Sequence, residues 1–480
     1  MNNLMEGILP KQPFIENHEI VGSLSVGENV VDNLHICFQY SLIKGGRITG
    51  KILGTNETYG QLTKLQDIPH QYCKLSFINE SGKYFVASEK ASIPCIHGRH
   101  PKCKDTTYIV ADIELQDVSI TNIWGEEVSS PKKRIMEYSL LGPETMWNIN
   151  EKRKRSYTGE IQLELKDPTI KLTEKEPFVV SVRPTYLYDH TNDVNKYEII
   201  ARIVTLQFET KEPIETLPND RFISLTKGYA EDMIWLLSFA CRKRMAWFRY
   251  DFLSDGAKTT YIRESKDILE KDIDWYDYVV FPYKGREYIM SALPKLRAMR
   301  SEGIDLTMPL LYCISGNEPN TLETKFSLYF LSLERIKDMY SKKMSMDKNM
   351  PNKDFDKLEP LLKEVVKGNV EDVNIIARIL KKMPELNRPA IRDVLDCVFE
   401  EYKVQWTDMY PLESDFTLLK TRDMLFHSSE EIDIENLAKE MYRLRSIIER
   451  VLLAMIGWTD NSYSPESGIK RWLVSNVHST

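Results

Sequence analysis

The hydrophobic pattern changes its period partway along this chain, and that change limits the fold more than any other feature. Up to about residue 210, apolar residues alternate with polar ones. In "GEIQLEL" (159–165), Ile161, Leu163 and Leu165 share one side, with Gln162 and Glu164 on the other. "HICFQYSLI" (35–43), "TTYIVADIEL" (106–115) and "NKYEIIARIVTLQF" (195–208) are rich in β-branched and aromatic residues, with Gly, Asn and Asp between the runs. A period of two predicts strands. From about residue 320 the spacing becomes three and four. Ile434, Leu437, Met441, Leu444, Ile448, Val451 and Met455 form one stripe on a predicted helix of more than 20 residues. The expected class is therefore α+β and multidomain. A β-rich region of antiparallel sheets, with a sandwich as one arrangement, precedes an all-α bundle of five or six helices.

The boundaries follow the same signals. Residues 1–210 are expected to form the β-rich domain, and 211–315 a mixed continuation with connecting helices. The bundle is expected over 316–460, with a tail at 461–480. The turn-rich "CISGNEPNT" (313–321) marks the last main break. Asn320 with Glu323 has capping-box spacing before the next helix, and Asp433 or Ser428 is placed to cap the last one.

Composition narrows the function classes. At 42% hydrophobic the chain can bury sizeable cores, and its formal charge of −7 does not suit a generic grip on long duplex nucleic acid. A local positive pocket for RNA is compatible with that balance. The seven scattered cysteines do not form a disulfide framework. The first residues lack the basic and apolar segments of a secretory signal, and no long apolar run predicts a membrane span. The expected setting is the reducing cytoplasm. No Gly-rich phosphate loop follows any strand.

Four stretches hold candidate chemistry. "CRKRMAWFRY" (241–250) interleaves Arg242, Lys243, Arg244 and Arg249 with Trp247, Phe248 and Tyr250. Such interleaving suits single-stranded nucleic acid, but a helix running into a strand, with aromatics inside and cations in solvent, is the stronger expectation. "EKRKRSY" (151–157) is expected to be a solvated loop. "CIHGRHPKC" holds Cys95, His97, His100 and Cys103 within nine residues. All four are zinc-competent, and any zinc there is expected to be structural, with two or three of them joined by a partner such as Cys73.

The fourth stretch, "KTRDMLFHSS" (420–429), holds Arg422 and His427. On one helix the two lie about 7.5 Å apart along the axis and about 140° apart around it. A neutral histidine moves protons near neutral pH, and an arginine offers a permanent fork of donors to a phosphate. The spacing alone is unspecific. With roughly one residue in twenty an arginine, eight histidines give about 0.4 chance matches. Pairing of Arg422 with Asp423 or Glu334, and a helix-end role for His427, are the plain alternatives.

The order of three segments adds context. "YFLSLERIKDMY" (329–340), "KTRDMLFHSS" and "LAKEMYRLRSIIERVLL" (437–453) together resemble the HEPN domain of ApeA-like proteins. "EIVGSLSVGENVVDNLHICFQYS" (19–41) and "MIWLLSFACRKRMAWFRY" (233–250) are similar to the β-rich domain that accompanies it. The resemblance implies a metal-independent endoribonuclease of anti-phage defence, acting by abortive infection, and a homodimer whose site draws on both subunits. It places Arg422 and His427 in the catalytic slots, Asp423 as an orienting residue, and Glu334 as a residue that holds Arg422. It implies an RNA substrate; because an unrestrained ribonuclease would harm its own cell, the N-terminal domain is expected to act as sensor or restraint, with a phage-derived trigger as one partner. The alternative within the same resemblance is a non-catalytic HEPN module that binds RNA or protein as a sensor.

Overall fold

The computed structural model describes residues 4–8, 11–13, 15–41, 47–66, 72–98, 106–124, 133–142, 147, 151–155, 161–166, 169–170, 176–190, 197–211, 218–254, 256–264, 278–318, 320–346, 348–410, 417–427 and 433–459. The chain divides into two units. The first comprises Met1–Leu237, Arg244–Trp275 and Phe281–Met290, and the second Ser238–Lys243, Tyr276–Val280 and Ser291–Thr480.

The first unit is built mainly from strands, all paired antiparallel except β2, which runs parallel to β14. In chain order they are β1 (Leu4–Ile8), β2 (Lys11–Pro13), β3 (Ile15–Val26), β4 (Asn29–Ser41), β5 (Arg47–Gly54), β6 (Cys73–Ile78), β7 (Tyr84–Ile96), β8 (Tyr108–Leu115) and β9 (Asp117–Ile123). After these come β10 (Ile135–Leu141), β11 (Glu151–Arg155), β12 (Ile161–Lys166), β13 (Thr169–Ile170), β14 (Phe178–His190), β15 (Tyr197–Thr210), β16 (Ala246–Ser254) and β17 (Ala257–Arg263). Two helices interrupt them, α1 (Asn56–Gln66) and α2 (Asn219–Ala240).

The main sheet runs β13-β14-β15-β10-β16-β17-β9-β7-β6-β3-β4-β5-β8, and a further pairing joins β8 back to β7. That pairing closes β7-β6-β3-β4-β5-β8 into a six-stranded ring, so the expected antiparallel sheet takes the form of a barrel in this part, not of a sandwich. Closure removes the open edges that a flat sheet would expose. Alternation fills the ring. Ile20, Leu24, Ile36, Ile48, Ile52 and Ile113 are all buried in one cluster, which also takes Leu62 and Leu65 from α1. Gly50 is required where β5 meets β4. A Cβ there would lie 2.4 Å from the Cys37 carbonyl oxygen and 2.7 Å from the Phe38 Cβ.

The remaining strands of the path form an open sheet against α2. Phe178 stacks edge-on to Phe222 and Tyr229 of that helix, and the hydroxyls of Tyr138 and Thr226 are 3.3 Å apart. A small separate sheet, β1-β12-β11, includes Glu151–Arg155, so these residues of the basic run are a strand and not the expected loop. The second basic run corrects another expectation. A helix does run into a strand, but Arg242 and Arg249 are buried instead of solvated. Arg242 donates from Nε and Nη2 to the Glu449 carboxylate at 2.7 and 2.6 Å, and Arg249 donates to Asp251 at 3.1 Å.

The second unit is helical, through α3 (Gly285–Ser301) from Ser291 onward, α4 (Thr307–Asn317), α5 (Leu322–Lys343), α6 (Asn352–Asn369), α7 (Val373–Lys382), α8 (Ile391–Glu401), α9 (Leu418–His427) and α10 (Ile434–Met455). The segment expected as a break at 313–321 is helical as far as Asn317, because Cys313, Ile314 and Gly316 are buried on α4. Thr321, not Asn320, caps α5, accepting from the Thr324 amide. Asp433 caps α10, accepting from Glu435. The α10 stripe is buried from Leu437 to Met455, whereas Ile434, in its first turn, is exposed. α5 and α10 pack together, and both touch α4 and α9. No helix among the described residues is long and apolar enough to cross a membrane.

Candidate functional site

The segment leading into α9 is fastened to α10 by a buried polar cluster. Glu440 is 5% exposed. Tyr410 donates to its Oε2 at 2.8 Å, while Thr417 and Arg443 each donate to its Oε1 at 2.8 Å. A buried carboxylate is tolerable only when so supplied with donors and a counter-charge. Burial, and then the neighbouring Glu440 carboxylate, push the Tyr410 phenol well above its usual range, so it stays a donor. Thr417 accepts the Thr421 amide at its carbonyl, which carries the anchor into the first turn of α9.

Arg422 stands one residue further along. Its Nη1 donates to Asp423 Oδ1 at 2.7 Å, and its Nη2 lies 3.8 Å from Glu334 Oε1 on α5. The guanidinium carbon is 5.7 Å from the ring of Phe330, which is itself buried one turn before Glu334. The Arg422 side chain is 29% exposed and that of Glu334 28%. Three of the four residues singled out from the sequence are therefore brought together. Two carboxylates from different helices steer one cation, and an aromatic face limits its swing. The Asp423 contact is between sequence neighbours and 62% exposed on the acid side, so it orients more than it stabilises. His427 is the last residue of α9, five positions on, and its side chain lies outside the described residues.

Two of the four Cys/His candidates fall on the barrel. Cys95 lies near the end of β7 and His97 is the first residue after it, while His100 and Cys103 lie outside the described residues. The structure adds a residue that the sequence reading missed. Asp112 of β8 stands opposite Cys95 in register, and the His97 Nε2 is 3.4 Å from its Oδ2. The ligand atoms of Cys95, His97 and Asp112 all lie within 4.8 Å of one another. Cys73 is buried opposite Ala91 and is not part of this group. The pairing of β7 with β8 was the signal needed, and that register is not visible from spacing. A second group, Glu19, His35 and Cys37, occupies β3 and β4. A cleft of about 760 Å³ has Glu19, Cys37, Lys51, Asp112 and Glu114 among its walls.

Compared with known proteins, the chain is matched by no family model, no curated protein and no solved structure.

Proposed function

We propose that this protein is a metal-independent endoribonuclease of the HEPN kind, acting in defence against phage, with Arg422 and His427 as its reacting pair. The observation that carries this reading is the setting of Arg422. It is a part-exposed cation, steered by Glu334 and Asp423, on the same short helix as a histidine. RNA supplies its own nucleophile. The His427 imidazole takes the proton of a 2′-hydroxyl, whose oxygen attacks the adjacent phosphorus. The 5′-oxygen leaves and takes a proton from a second acid. The products are a 2′,3′-cyclic phosphate and a 5′-hydroxyl end. Arg422 holds the phosphate oxygens while negative charge builds on them. A second copy of the chain, paired through the helical unit, would provide the second histidine as the acid. The N-terminal unit would restrain cleavage until a phage-derived trigger binds, in keeping with a cytoplasmic enzyme that must not degrade its own cell's RNA.

One observation favours the non-catalytic sensor. Two carboxylates already attend Arg422, and this lowers its pull on a phosphate. The deciding experiment expresses wild type, Arg422→Ala and His427→Ala with and without phage, after checking that all three melt alike. Growth and the 3′ ends of cellular RNA are followed. Loss of either group is expected to cut cleavage by about 100-fold or more. Cyclic-phosphate ends should appear in wild type alone. Protection and cyclic ends that persist in both variants would overturn the enzyme.

A further inference from the structure

We propose that Cys95, His97 and Asp112 bind one divalent ion of the zinc class, at the seam where the barrel closes. Three observations carry it, and none depends on the ribonuclease reading.

The first is register. Ser92 pairs with Glu114 and Cys95 with Asp112, so β7 uses three residues where β8 uses two. Without that extra residue, Pro94 would face Asp112, and Cys95 would point to the opposite side of the sheet. A bulge of this kind re-aims a side chain. Here it sets a thiol directly across from a carboxylate, with His97 two residues on and on the same face.

The second is distance. Zinc–nitrogen and zinc–oxygen bonds of about 2.0–2.1 Å at a tetrahedral angle place the two ligand atoms about 3.3–3.4 Å apart. His97 Nε2 and Asp112 Oδ2 are 3.4 Å apart, which matches that edge. The neighbouring group fails the same comparison. His35 Nε2 and Glu19 Oε1 are 2.5 Å apart, a closed hydrogen bond with no room for an ion between them.

The third is chemistry. Thiolate, imidazole and carboxylate together select zinc-class ions over magnesium or calcium, and three protein ligands leave the fourth position to water. The side chains of His97 and Asp112 are 42% and 39% exposed, so an ion has an entry path. Because Asp112 also lines the 760 Å³ cleft, the ion would sit at its rim. It would also tie β7 to β8, the one pairing that makes a ring of the sheet.

The test uses the full chain, stripped with chelator and then titrated with zinc and, separately, with cobalt(II). One equivalent should bind, and the thermal midpoint should rise. Cobalt should show a thiolate charge-transfer band that disappears in Cys95→Ser. His97→Gln and Asp112→Asn should each weaken zinc binding by at least about tenfold, and His35→Gln should leave it unchanged. Failure to bind zinc, binding indifferent to Cys95→Ser and Asp112→Asn, or dependence on His35 would each overturn the proposal. Because no RNA is involved, failure here would leave the ribonuclease reading untouched.

Discussion

The buried pair of Arg242 and Glu449 gives the sharpest test of the second unit. The two side chains are only 2% and 6% exposed, and two hydrogen bonds of 2.7 and 2.6 Å join them. Arg242 also sits at φ +52°, a region that side-chain-bearing residues seldom adopt. Arg242→Met keeps that backbone cost while removing the charge, so the change reads the ion pair itself. Stranding one buried charge costs about 3–5 kcal/mol. Arg445, whose Nε is 3.9 Å from Glu449 Oε1, softens the loss, so about 3 kcal/mol is expected. For a unit of this size that lowers the melting midpoint by about 6–12 °C. Glu449→Leu removes the acceptor of both hydrogen bonds from the buried Arg242 and should also destabilise. The double variant should lose less than either single one, because neither fully buried charge of the pair is left facing an apolar partner, and Arg445, 16% exposed, keeps contact with solvent. Calorimetry and urea denaturation of the full chain provide the readout. A single substitution that costs under about 1 kcal/mol, or a double variant worse than both singles, would refute the account of a desolvated pair.

Two further outcomes follow from local geometry. Gly50→Ala should destabilise the barrel by about 1–3 kcal/mol in urea, because its Cβ would meet the Cys37 carbonyl; wild-type stability would show that β5 and β4 do not approach so closely. Asp305 accepts from the Thr307 amide and hydroxyl at the start of α4, and Asp305→Ala should cost about 1 kcal/mol at neutral pH. Burial works to raise its pKa, but the hydrogen bonds from Thr307 and the charge of Arg300 outweigh that and hold the carboxyl below its ordinary range. Its stabilisation is therefore complete above about pH 5 and fades as pH falls through the ordinary carboxylate range to the lowered folded value. A gap between wild type and variant that stays constant into strong acid would contradict this.

Local pattern carried much of this architecture. The expected strands at 35–43, 106–115, 159–165 and 195–208 overlap β4, β8, β12 and β15, and β4 begins earlier than expected, at Asn29. The α10 stripe is as buried as its spacing implies, apart from Ile434 in the first turn. What local pattern could not supply is pairing between distant segments. Ring closure depends on β8 finding β7, and nothing in either strand announces it. Arg242 read as a solvated cation because its carboxylate is 207 residues away. Asp112 drew no notice beside Cys95 and His97 for the same reason. Arg422 and Asp423 are sequence neighbours on one helix, whereas Glu334, on another helix, was tied to Arg422 by the resemblance of its segment and not by local pattern.

β7 has a consequence for how the first unit opens. Tyr84–Ala87 hydrogen-bond to β9 in the open sheet, while Ala91–Ile96 close the ring onto β8. One thirteen-residue strand thus serves as a wall shared by two rooms. Neither can be dismantled without stripping partners from the other, so amide protons on both sides of β7 should exchange as a single cooperative block, with no early opening of the barrel alone.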